Sequence, residues 1–163
     1  DIDVLLYGDV KIIHYPLRHR IVNILKKTNK FNVKIKNRAG YFTKNMDSVI
    51  AHRNELSNLI NRSHICIATC SKYEYFVCKY LEITGANSVC AGNMDSIGKL
   101  FFENNYIELN LDMSDEEIEN KLLDSLKDKM KLEEMNKNVF KKIQNFSIEN
   151  HYWDHLCDLV NTL

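Results

Sequence analysis

Two glutamates, Glu74 and Glu82, stand eight positions apart between two short apolar runs. A carboxylate accepts two hydroxyl hydrogen bonds, so Glu82 is suited to grip the vicinal diol of a ribose. Eight helical residues rise about 12 Å, which would carry Glu74 to a sugar at the other end of a diphosphate. The spacing means little by itself, because Glu108 and Glu116 repeat it. Context separates the pairs: only Glu74 and Glu82 bracket a stretch that leaves one apolar run and leads through Gly85 into another.

Other groups of matching chemistry lie nearby in the pattern. Pro16 fits the first turn of a helix, where its missing N–H is not needed. Arg18 and Arg20 follow it directly. Free N–H groups, the positive helix end and guanidinium groups together can cradle phosphate. A solvated cationic face with acidic partners is an equally open reading of that pair. Thr69 and Ser71 offer two hydroxyls after the run 64–68, and Gly8 closes the run Val4–Tyr7, where a glycine permits close approach of a ligand. Arg38 and Tyr41 follow a further run, where Tyr41 could stack on a nucleobase or, with Phe42, simply cap the core.

These residues need a scaffold that gathers run ends, and the hydropathy pattern supplies one. Val4–Tyr7 is an uninterrupted apolar run, as in a strand buried on both faces. Leu17, Ile21, Val22, Ile24 and Leu25 then keep helical spacing, and Phe31, Val33 and Ile35 alternate. A helix is predicted over 47–61, a buried strand over 64–68, a helix over 73–84 with Gly85 as its left-handed terminus, and a strand over 88–91. Ile97, Leu100 and Phe101 predict a short helix, and 106–109 a fifth strand. Ser114 with Glu117 reads as a capping box ahead of Ile118, Leu122, Leu123 and Leu126. A charged, peripheral helix is expected over 130–144, and Ser147 opens a last one with Tyr152, Trp153, Leu156, Leu159 and Val160 on one side. Alternating strands and helices imply right-handed crossovers and a parallel sheet. The expected fold is α/β: one Rossmann-like parallel sheet flanked by helices over residues 1–163.

Composition narrows the function classes. Twenty-two basic and twenty-two acidic residues cancel, which argues against a general nucleic-acid binder. No apolar run approaches the ~18 residues of a membrane span. Five cysteines, odd in number and without a Cys-x-x-Cys pair, fit free thiols in a reducing compartment, so a cytoplasmic location is expected. His151 and His155 stand one helical turn apart without a third ligand, so no metal site is expected. The glycine signatures of dinucleotide enzymes, phosphate-loop NTPases and α/β-hydrolases are missing. The chain opens inside an apparent strand, which suggests one domain of a longer protein.

The run Asn61–Ala68, then Glu74 and the run Tyr80–Val89, resembles the C-terminal, donor-binding domain of GT-B fold glycosyltransferases. That family's pattern is a strand, a loop, a glutamate, seven residues, a second glutamate, then a small-residue and glycine turn into the next strand. Asp115–Asp128 and the turn 145–149 resemble the same domain's closing helices. The resemblance implies a nucleoside-diphosphate sugar as donor substrate, no separate cofactor, and a hexose moved to an acceptor that these residues do not identify. It implies Glu82 on the ribose, Glu74 on the donor sugar, Arg18 on the diphosphate, and Thr69 and Ser71 along the phosphate and sugar end. It also implies a Rossmann-like N-terminal domain completing the cleft and supplying catalytic groups, and favours a retaining enzyme. Asn87 replaces the family's usual proline, and Gly92-Asn-Met-Asp95 its double glycine. The alternative expectation is a non-catalytic Rossmann-like binding or assembly module.

Overall fold

The computed structural model describes residues 2–36 and 46–145, with side chains in the second stretch from Arg53 onward. Five strands, β1 (Ile2–Tyr7), β2 (Val33–Lys36), β3 (Ser63–Ile67), β4 (Val89–Gly92) and β5 (Ile107–Glu108), form one sheet. Every pairing is parallel, and the order is β2-β1-β3-β4-β5. Among the described residues six helices accompany them: α1 (Pro16–Leu25), α2 (Met46–Asn61), α3 (Lys79–Gly85), α4 (Ser96–Phe102), α5 (Asp115–Lys127) and α6 (Lys129–Asn145). The α/β, Rossmann-like expectation therefore holds.

Right-handed crossovers dictate which face each helix covers. The chain steps from β1 outward to β2 in one direction, then from β2 back across to β3, β4 and β5 in the other. Hence α1 must lie on one face and α2, α3 and α4 on the opposite one. The packing agrees: Leu17, Ile21 and Leu25 of α1 join Val4, Leu6, Ile65 and Ile67, together with Ile118 and Leu122 of α5. Ile60, Tyr80, Ile83 and Phe102 pack with Leu5, Tyr7, Cys66 and Cys90 on the other side. The period-2 alternation of β1 and β3 thus fills two cores at once.

Several expectations about elements are corrected. α3 begins at Lys79, not Tyr73, because Ser71 closes a turn: its Oγ accepts from the Tyr73 N–H at 3.2 Å, its carbonyl from the Glu74 N–H at 3.0 Å. Glu74 then takes a left-handed backbone, φ 50°, which a helix cannot hold. The left-handed residue beyond α3 is Asn87, φ 65°, while Gly85 is the last helical residue. On α4, Ile97 and Leu100 are exposed, and Gly98 and Phe102 face the core. α6 is not peripheral: Leu132 and Met135 reach one core and Val139 the other. The capping box of α5 is present, with Glu117 N–H on Ser114 Oγ at 3.1 Å and Ser114 N–H on Glu117 Oε2 at 2.6 Å. The last expected helix, Tyr41, His151 and His155 lie outside the described residues.

Candidate functional site at the carboxyl ends of β1 and β3

The strand order reverses direction between β1 and β3. In an open parallel sheet, the crevice beyond the carboxyl ends of two such strands is where ligands bind, because the connecting loops diverge to opposite faces there. Gly8 follows β1 and Thr69 lies two residues beyond β3. Gly8 has φ 99°, a conformation that side chains strain. A Cβ there would also stand 2.7 Å from Lys79 Nζ and 3.6 Å from Arg18 Nη1. Two cations therefore converge on a backbone position that lacks a side chain.

Arg18 comes from the first turn of α1, held at this place by Pro16, and is 3% exposed. Its Nη1 donates to the Asp9 carbonyl at 3.0 Å and its Nη2 to the Thr69 carbonyl at 2.9 Å. The guanidinium carbon lies 4.1 Å from the centroid of the Tyr15 ring. Arg18 thus clips the loop after β1 to the loop after β3. Burial lowers its pKa, with Tyr15 the largest influence in the other direction. Lys79 comes from the start of α3; its Nζ donates to the Tyr7 carbonyl at 2.6 Å and lies 4.0 Å from the Tyr7 ring centroid. Arg20, in contrast, leaves the site and pairs with Asp115 at 2.6 Å and the Leu111 carbonyl at 2.9 Å. The expected pair of guanidiniums is therefore not formed, and Lys79 rather than Arg20 stands beside Arg18 at Gly8.

Around these cations stand polar atoms without a protein partner. Thr69 is fully buried and its Oγ1 makes no hydrogen bond; the same holds for Arg18 Nε and for Asn93 Oδ1, just past β4. An unpaired buried polar atom costs about 1–3 kcal/mol, so such atoms gathered at a sheet end suit a site that meets polar groups. Ser71 is also buried, but its hydroxyl serves the turn already described. Gly92 closes the floor: with φ 151° its missing Cβ would fall 1.8 Å from the Ala68 carbonyl oxygen.

The two glutamates are exposed and, among the described residues, neither forms an ion pair. Glu82 rides on α3 one turn beyond Lys79, on the same side of the helix. Burial raises the Tyr7 hydroxyl pKa most, and the Glu82 carboxylate adds to the rise. Glu74 is not on the helix, so the expected helical span between the glutamates does not exist. It sits in the preceding loop, where its carboxylate adds to the rise that burial imposes on Cys70. Lys79, Tyr15 and Asn93 were not singled out from sequence. For Lys79 a signal existed in the Lys-x-x-Glu spacing with Glu82, masked by an assumed helix start six residues too early.

The thiols contribute structure here. Cys66 and Cys90 are register partners on β3 and β4, both buried, and burial pushes the Cys66 thiol up to about 12. Neither is a nucleophile at neutral pH. No protein family, curated protein or solved structure matches this chain.

Proposed function

We propose that this chain is the donor-binding domain of a GT-B glycosyltransferase, which takes a hexose from a nucleoside-diphosphate sugar. The observation that carries the reading is the convergence of Arg18 and Lys79 on Gly8 at the switch point, with Glu82 one helical turn from Lys79. Two cations suit a diphosphate, whose charge grows as it leaves; holding that charge lowers the barrier to transfer. Glu82 would bind the ribose hydroxyls and Glu74 the hexose, beside the loop that carries Thr69 and Ser71. Catalytic groups and the other wall of the cleft would come from a second Rossmann-like domain, and a retaining outcome is the preferred stereochemistry.

A second reading has its own observation. Arg18 is nearly inaccessible and already donates to two carbonyls, as a purely structural clip would. On that reading the chain is a non-catalytic binding or assembly module. Calorimetric titration with UDP, GDP, ADP and CMP, with and without magnesium, separates the two. Selective binding lost in a folded Glu82→Ala variant supports the donor site and identifies the base. Silence toward all four nucleotides supports the module, or a cleft that binds only when its second domain completes it.

A further inference from the structure

About 20 Å of sheet, at about 3.3 Å per residue, separates Thr69 from Ser63 at the other end of β3. A cavity of about 360 Å³ opens there, at the amino ends of β3 and β4, within the size range of small-ligand sites. One wall is the side of α6 that carries Lys129, Glu133 and Asn136; the other includes Arg62 and His64.

Asn136 is the built part. It is 8% exposed, and its Nδ2 donates to the Thr84 carbonyl at 3.1 Å and the Ser88 carbonyl at 2.9 Å. Two carbonyl acceptors fix the orientation of the amide, so Oδ1 is left as an acceptor. Among the described residues no group donates to it. Lys129 and Glu133 are four apart on one helix, the spacing at which such side chains pair. Among the described residues neither enters an ion pair. Burial first, and Lys129 next, lower the His64 pKa, so the imidazole is neutral at pH 7 and adds no charge.

The lining therefore offers a cation in Lys129, an anion in Glu133 and a neutral acceptor in Asn136 Oδ1. A simple anion would meet Glu133 unfavourably, and a simple cation would meet Lys129. A molecule bearing both charges satisfies each side. We propose that this cavity binds a small zwitterion of the α-amino-acid class, its carboxylate on Lys129 and its ammonium on Glu133 and Asn136 Oδ1.

The test is amide NMR on the full chain titrated with glycine, L-alanine and L-glutamate, with acetate and methylammonium as single-charge controls. The zwitterions are expected to shift the signals of Asn87, Lys129, Glu133 and Asn136. Lys129→Gln and Glu133→Gln, both at exposed positions, should each lower affinity by about tenfold with the melting temperature unchanged. Three results would overturn the proposal: no shift with any zwitterion, acetate binding as tightly as glycine, or affinity indifferent to Glu133→Gln.

Discussion

Arg18 and Lys79 differ in how far each is committed to the fold. Arg18 is buried and committed to the Asp9 and Thr69 carbonyls, so replacing it removes donors from two chain segments at once. Arg18→Met should cost about 3 kcal/mol, the sum of two interrupted charge-assisted hydrogen bonds. Urea unfolding measures this directly; a midpoint equal to that of the parent would show that the clip contributes nothing. Lys79 is half-buried with its ammonium over the Tyr7 ring, and a methionine keeps a stem of similar length without the charge. Lys79→Met should therefore leave the fold intact while weakening a nucleoside diphosphate about tenfold and the bare nucleoside hardly at all. Equal losses for both ligands would remove Lys79 from the phosphate end.

At the scale of elements, close approach and helix termini decide stability. β3 and β4 come together so tightly at Gly92 that a methyl group would overlap the Ala68 carbonyl, on a backbone that already disfavours side chains. Gly92→Ala should cost more than about 3 kcal/mol, readable as a collapse of the thermal transition. β5 is tied to α4 by Lys99 and Glu108, 2.8 Å apart. The bond from Lys99 holds the Glu108 carboxyl below its ordinary 4.5, and the bond to Glu108 holds the Lys99 ammonium above 10.5. A depressed carboxyl pKa stabilises the fold above the unfolded value, and the benefit fades as pH falls through the folded one; a raised lysine pKa fades as pH climbs. The difference in melting temperature between the parent and Glu108→Gln should thus be flat near neutrality and shrink toward zero in acid. Both groups are well exposed, so the plateau corresponds to less than about 1 kcal/mol. A difference that grows in acid would contradict this pairing.

For the whole molecule, a doubly wound sheet protects its middle. β1 and β3 pair on both sides and feed both cores, whereas β5 is a two-residue edge. Native-state hydrogen exchange should be slowest in Leu5, Leu6, Cys66 and Ile67 and fastest, among the strands, in Ile107 and Glu108. Uniform protection across all five strands would argue against this hierarchy. The same topology keeps the two proposed ligand regions at opposite ends of β3. Binding at one can then be scored without blocking the other.

Hydropathy alone determined that this chain alternates strand and helix in a parallel sheet, because buried strands and amphipathic helices have different apolar periods. The Ser-x-x-Glu spacing determined the capping box at Ser114 and Glu117, which is a local arrangement closed within four residues. The placement of Gly8 and Thr69 at strand ends, and of Arg18 in the first turn of α1, was legible in the sequence as well. What only the tertiary structure decided is the partnership among them. The start of α3 was illegible because the Ser71 turn and the Glu74 backbone override helical spacing. That shift moved Glu74 off the helix and brought Lys79, not Arg20, to Arg18. Arg20 went to Asp115, ninety-five residues away, and Asn136 of a highly charged helix was drawn inside by two carbonyls at the end of α3. Long-range satisfaction of buried polar groups has no period along a sequence, so it becomes visible only when the chain is folded.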